Sequence, residues 1–232
     1  MPFAKRHEEI VKKIEPESKT NLWIRTILFS IVIFIIGGLY LYLRRGEFDL
    51  HIANKVFAIT SLFLIGFSLS LSALCYFWNF LDTKIVYRKH LGVIGFAYAL
   101  LHALTTFILL REEFPWPDWY STEIISVLLG LAALIIFSGL AAISNRFSIM
   151  ELGGRTWRRL LRYGGYTGFI LVIIHFGLLK YKGWGRWFSS YDPWMPPLSL
   201  IAIIFVSLVL MLRLALAIAL FRKKSNEASE DE

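Results

Sequence analysis

The chain has a single cysteine in 232 residues, Cys75, which excludes a disulfide or a cysteine-rich metal site within one copy. Cys75 falls inside an apolar run and reads as a small helix-packing residue. A dinucleotide fingerprint is missing too: Gly153 and Gly154 have neither the G-x-G-x-x-G spacing nor a strand before them. No paired carboxylates and no Ser-His-Asp pattern support acid-base or nucleophilic catalysis. Charged residues make up only 18% of the sequence, and the longest polar flanks are residues 1–21 and Ser225–Glu232, so no soluble catalytic domain is expected within these residues.

What fills the sequence is hydrocarbon: 56% hydrophobic and 16% aromatic residues, with a mean hydropathy of +0.58. Six apolar stretches, about 22–43, 52–78, 91–110, 122–143, 160–181 and 198–221, reach the roughly 20 residues that cross a bilayer core as helix. The expected fold is all-α, a polytopic membrane protein with a six-transmembrane-helix bundle in the cell inner or plasma membrane. A cytoplasmic segment 1–21 precedes the transmembrane domain 22–221, and an acidic, disordered tail 222–232 follows it.

The formal charge of +8 follows this topology and does not call for nucleic acid. Sixteen of the 25 Lys and Arg residues fall on one side of the spans, against seven on the other: Arg44, Arg45, Lys55, Arg111, Lys180, Lys182 and Arg186. By the positive-inside rule both termini are cytoplasmic and odd-numbered spans run outward. The first span follows a basic segment but is 22 residues long and ends in Tyr40–Arg45 without a small-residue cleavage site, so it reads as an uncleaved signal anchor.

Several segments allow two readings. Ile10, Val11 and Ile14 among Lys12, Lys13 and Glu15 make either a short amphipathic surface helix or a solvated tail. His51 is a solvated interfacial histidine or a group near an outer substrate. Trp116, Trp119 and Tyr120 form an interfacial aromatic belt, in which Glu112, Glu113 and Asp118 offer negative charge. The loop Lys180–Pro197, with Trp184, Trp187 and Trp194, closes the outer side above the fifth span. The arginine-rich stretch from Arg146 to Arg162 sets topology or docks phosphates or an acidic donor protein.

Two histidines stand deep in hydrocarbon. His102 lies thirteen residues beyond Lys89, and His175 thirteen beyond Arg162. At about 1.5 Å per residue both imidazoles stand about 20 Å above the inner boundary. The third and fifth spans run in the same direction, so the rings share one level in the outer half. Gly92, Gly95 and Ala99 lie on the face of His102, and Gly164, Gly168 and Val172 on that of His175. Small residues beneath each ring leave room for a flat, bulky group, although Gly164 and Gly168 are also a G-x-x-x-G helix-packing pair. One such histidine would read as an interhelical hydrogen bond. Two at matched depth point to paired axial ligands of one haem iron, bound non-covalently because no C-x-x-C-H occurs. A transporter or proton carrier is the other class, but neither an inverted repeat nor a broken helix supports it.

HLGVIGFAYALLHALTT, GGYTGFILVIIHFGLLKYKGW and YDPWMPPLSL resemble the ferric-reductase-type transmembrane domain, the six-helix haem module of STEAP metalloreductases, NADPH oxidases and bacterial MsrQ proteins. The resemblance covers about 52–220, and GRTWRRLLR before the fifth span is similar to MsrQ sequences. It implies b-type haem on His102 and His175, and electrons passed from a cytoplasmic or membrane donor to an outer acceptor. Two-haem members carry a second histidine about four turns lower on each helix. Here the third span offers His90 but the fifth has Leu161, so one haem b is expected, with His90 interfacial or touching a propionate or flavin.

These residues include neither a nicotinamide nor a flavin domain, so the resemblance implies borrowed electrons, from an electron-donor protein or a flavin reductase. A 20 Å gap below the haem calls for an intermediate carrier, by resemblance FAD, FMN or a quinone. Trp157, Arg158, Arg159 and Arg162 stand near its entry, and Tyr163 or Tyr166 along the way. Arg213 in the sixth span either snorkels or pairs with a flavin phosphate or haem propionate. The acceptor is a chelated ferric ion, as in a ferric reductase, or a partner reductase that repairs methionine sulfoxide; a non-catalytic haem subunit and a homo-oligomer stay open.

Overall fold

The computed structural model describes residues 19–115 and 117–230. The segment with Ile10, Val11 and Ile14, Trp116 and the last two residues lie outside the described residues. Within them, eight α-helices and no strand are present. The helices are α1 (Lys19–Arg45), α2 (Leu50–Phe77), α3 (Arg88–Leu104), α4 (Asp118–Thr122), α5 (Ile124–Ile143), α6 (Arg146–Leu152), α7 (Gly154–Ser190) and α8 (Leu198–Glu230). A 3-10 helix, Asn79–Tyr87, leads into α3, and a π-helical turn, Thr105–Leu109, follows it.

Among the described residues, six segments are long and apolar enough to cross a membrane: Thr20–Arg45, Leu50–Phe77, Asn79–Leu109, Ile124–Ile143, Gly154–Ser190 and Leu198–Lys223. The protein is an integral, multi-pass membrane protein. Its side-chain distribution follows from a solvent that is itself hydrocarbon. Ile36, Ile135, Leu208 and Met211 lie on the outside, while Thr26, Ser30, Asn54, Thr60 and Ser126 are buried. Buried hydroxyls need partners where there is no water; Thr26 donates to the Leu22 carbonyl at 2.7 Å, and Ser30 to that of Ile27 at 2.7 Å.

Contacts between the ends of the helices show that their directions alternate. Tyr40 and Arg44, late in α1, donate to the carbonyls of Pro196 and Met195 just before α8. Ser68, well along α2, donates to the Arg88 carbonyl at the start of α3. One end of the bundle is therefore a basic face, with Arg88, Arg158 and Arg162, and the other an aromatic face, with Trp119, Trp187 and Trp194. Leu62, Ile65 and Leu69 of α2, Phe137 of α5, Phe169 of α7 and Ala202 and Val206 of α8 close a common core.

Two expectations are corrected. The fifth span is much longer than 160–181: α7 runs from Gly154 to Ser190, because no proline interrupts it before Pro193. Tyr191 ends it in the left-handed region, its N–H donating to the Trp187 carbonyl at 2.7 Å. Lys180 is thus inside a helix and not at the start of a loop. Second, the acidic tail is helical as far as Glu230, since α8 meets neither glycine nor proline beyond Leu198. His90, two residues into α3, is packed among neighbouring side chains. It is 8% exposed, within 3.2 Å of the Val86 carbonyl and edge-on to Trp23 of α1.

The arginine-rich loop contains α6, whose start is capped by Asn145 accepting from the Ser148 N–H at 2.8 Å. Gly153 then turns the chain into α7 with φ 71° and ψ 141°. That conformation is essentially reserved for glycine, which gives this glycine a role the missing fingerprint left unexplained.

Candidate functional site

His102 sits one turn before the π-helical turn, a feature frequent at functional sites, and is held by the start of α2. The Thr106 hydroxyl donates to the His102 carbonyl at 2.9 Å, so its oxygen is left to accept from the Asn54 amide at 2.8 Å. This fixes the orientation of the Asn54 side chain. Its Oδ1 faces His102 Nδ1 at 2.8 Å, and the Asn54 backbone carbonyl lies at 3.2 Å. Both are acceptors, so Nδ1 carries the proton.

His175 reaches the same state through α5. Its Nδ1–H donates to the Ser126 carbonyl at 2.7 Å, and the Ser126 hydroxyl donates to the His175 carbonyl at 2.9 Å while lying 3.1 Å from Nδ1. One turn on, Gly130 makes room for the ring: a Cβ there would stand 2.9 Å from Nδ1. In both histidines Nε2 is therefore the unprotonated nitrogen with a free lone pair. A metal-bound imidazole carries this tautomer, its other N–H fixed by an outer acceptor.

α3 packs mainly on α2, and α7 mainly on α5, while α3 and α7 share no extended packing. The histidines are nonetheless close enough for their charges to interact. Among the described residues no group of three or more His, Cys, Asp or Glu could hold a bare metal ion. Two imidazoles alone suit an iron whose other ligands come from a macrocycle, and these residues fit haem on that ground.

The glycine faces serve helix packing. A Cβ on Gly95 would meet Ile65 at 2.8 Å, and one on Gly168 the Phe137 ring at 2.9 Å. Gly95 therefore brings α3 against α2, and Gly168 brings α7 against α5; each glycine positions its histidine through the partner helix.

Nearer the basic face lies a cavity of about 350 Å³. Its walls include Arg88, Trp157, Arg158, Leu161, Arg162 and Gly165, so three of the expected entry residues meet there. Trp157 is anchored by its indole N–H to the Ile143 carbonyl at 2.8 Å. Arg159 and Tyr163 instead line a separate apolar groove between α5 and α7. Arg213 is tied to the Leu69 carbonyl at 3.2 Å and to Ser72, and its guanidinium lies over the Tyr166 ring at 4.8 Å. His51 lies 3.5 Å from Glu113 and stacks on Phe114, joining α2 to the loop before α4.

Asn54, Thr106, Ser126, Gly130 and Arg88 escaped the sequence reading. Asn54 and Ser126 carried a signal: each is a polar residue early in an antiparallel span, at the depth of a histidine.

Comparison with known proteins matches part of the chain. It is 37% identical over 93 residues to the magnetosome protein MamZ of Magnetospirillum gryphiswaldense, covering 39% of this chain and 14% of that protein. It is 36% identical over 99 residues to the protein-methionine-sulfoxide reductase heme-binding subunit MsrQ of Agrobacterium fabrum, covering 41% of this chain and 44% of the relative. The MsrQ of Rhodospirillum rubrum is 32% identical over 95 residues, covering 40% and 44%. The matches thus span less than half of each relative. No family model matches the chain.

Proposed function

We propose that this protein is the haem-carrying membrane subunit of an electron-transfer system and that its partner is a methionine sulfoxide reductase. The observation that carries the reading is the pair His102 and His175, both with Nδ1–H donated to fixed acceptors and Nε2 left free. The names of the MsrQ relatives support the haem and the partner. A chelated ferric ion is the other acceptor consistent with the same site.

One haem b, when bound, supplies one-electron chemistry. Asn54 and Ser126 hold the two rings in the ligating tautomer, and α2 and α5 set their separation from the lipid. His102 and His175 would both hold the iron, and the haem would then pass electrons without binding substrate at the metal. The uneven distribution of cations supports an orientation with both termini in the cytoplasm and the histidine pair in the outer half of the membrane. The cavity walled by Arg88, Arg158 and Arg162 suits an anionic or polar-headed intermediate carrier, a flavin or a quinone, fed by a donor at the basic face.

The test is an oxidised-minus-reduced visible spectrum of the purified protein beside H102A and H175A. A sharp low-spin b-type signal, lost in both variants, is expected. Well-folded, haem-supplemented protein without it refutes the proposal. Reoxidation of the reduced protein by a methionine sulfoxide reductase and its substrate, compared with ferric citrate, then separates the two acceptors.

A further inference from the structure

We infer that the groove between α5 and α7 holds one anionic phospholipid of the leaflet at the basic face, with its phosphate on Arg159 and an acyl chain along the two helices. This site is independent of the haem and of its partner. From sequence the arginines after Gly154 formed one cluster, but α7 divides them. Arg158 and Arg162 line the cavity, while Arg159, between them, lines the separate groove of about 320 Å³. Arg159, Thr156 and Tyr163 are exposed, and among the described residues none of their side chains has an ion pair or a hydrogen bond.

Close packing on one side and a missing side chain on the other make the groove. A Cβ on Gly164 would stand 2.9 Å from Leu140 Cδ2, so α7 comes tightly against α5 and closes the floor. One on Gly139 would meet nothing within 4 Å, so the space above it is open. Along α5 the walls run from Ile143 to Ile135, eight residues or about 12 Å of helical rise. That is most of one leaflet's share, about 15 Å, of a hydrocarbon core roughly 30 Å thick. Ile135 at the far end is 71% exposed, so the groove opens to the surrounding lipid. Arg159 and Thr156 stand at the end where α5 finishes, and no acid lines the groove. A cation at the membrane boundary without a counterion, continued by an apolar channel one leaflet deep, matches an amphiphile with an anionic head and an acyl chain. A phosphatidylcholine headgroup brings its own cation to the phosphate, so an anionic lipid fits better.

The full-length protein, incubated in detergent with dioleoyl phosphatidylglycerol and read by native mass spectrometry, should retain that lipid in preference to dioleoyl phosphatidylcholine. R159Q should weaken phosphatidylglycerol retention about fivefold, the worth of one arginine at a charged lipid surface, and leave phosphatidylcholine unchanged. G139L, whose side chain grows into open space, should reduce retention of both lipids while helix content by circular dichroism stays the same. R146Q is the control: it removes a cation from α6 that does not line the groove, and its phosphatidylglycerol retention should equal that of the wild type. Unchanged retention in R159Q overturns the assignment. So does an equal loss in R146Q, which would mark a diffuse charge effect only. A folded G139L that retains both lipids as the wild type does overturns it as well.

Discussion

Replacing Asn54 by alanine tests whether the outer hydrogen bonds of the histidines do the positioning argued above. The change removes the acceptor 2.8 Å from His102 Nδ1 but leaves the backbone carbonyl of residue 54 at 3.2 Å. Thr106 keeps its bond to the His102 carbonyl, so the end of α3 is not left unsatisfied. Loss of one neutral hydrogen bond is worth about 0.5–1.5 kcal/mol, and removal of a partner that orients a metal ligand typically weakens affinity about 10–100-fold. The surviving carbonyl places N54A at the low end, about tenfold weaker haem binding, equal to about 1.4 kcal/mol. His175 supplies the comparison. Its shortest contact is to a backbone carbonyl at 2.7 Å, which S126A retains. Titration of haem-free protein with haem, followed by absorbance, should therefore rank the proteins wild type, S126A, N54A and H102A in falling affinity. Unchanged binding in N54A, or a larger loss in S126A, would refute the reasoning.

Three further outcomes are expected. Alanine at Gly95 meets both Ile65 Cγ1 at 2.8 Å and the Ile65 backbone N at 3.2 Å, whereas at Gly92 it meets the Ser68 hydroxyl at 3.3 Å. G95A should lose about 1–3 kcal/mol and G92A much less, read from thermal unfolding in detergent; equal melting of the two would contradict the close approach of α2 and α3. G153A should cost about 1–3 kcal/mol through its φ of 71°, while G154A, whose Cβ would meet only the end of the Arg158 side chain at 3.3 Å, should melt near wild type. In a C75S background, a cysteine replacing Ser225 should react with impermeant maleimide from the cytoplasmic side and one replacing Ser190 from the other; the reverse pattern inverts the orientation.

The six spans and the histidine pair were legible because hydropathy and helical rise are local properties. A run of about 20 apolar residues declares itself, and thirteen residues from the last cation measures depth without any knowledge of neighbours. What surrounds the histidines depends on which helices are adjacent, and one sequence does not say that α2 covers α3 or that α5 covers α7. The glycine faces show the difference. Gly95 and Gly168 do share faces with His102 and His175, but the space they leave is taken by Ile65 and Phe137 from helices distant in sequence. The ends of α7 and α8 were read too short for a simpler reason: polarity was taken as a stop signal, but polar side chains do not by themselves stop a helix, whereas proline does. Arg155, Arg158, Arg159 and Arg162 at one end and Lys180, Lys182 and Arg186 at the other are all within α7.

That length gives the molecule two polar tiers on one helix. The tier at the aromatic face consists of neutral groups with fixed polarity around the histidines, Asn54, Thr106 and Ser126. The tier at the basic face consists of Arg88, Lys89, Arg158 and Arg162 around a cavity whose walls include no acid and no histidine. His90, the one candidate for a second iron ligand there, is turned toward Trp23 and the Val86 carbonyl, and Leu161 stands where a partner ligand would be needed. A proton carrier fits the upper tier poorly, since each Nδ1 proton is committed to a fixed acceptor and, among the described residues, no carboxylate is hydrogen-bonded to either ring to pass a proton on. In the proposed reading two different occupants follow in sequence, an anionic carrier held by arginines and a haem held by imidazoles, with α7 contributing Arg162 to the first and His175 to the second.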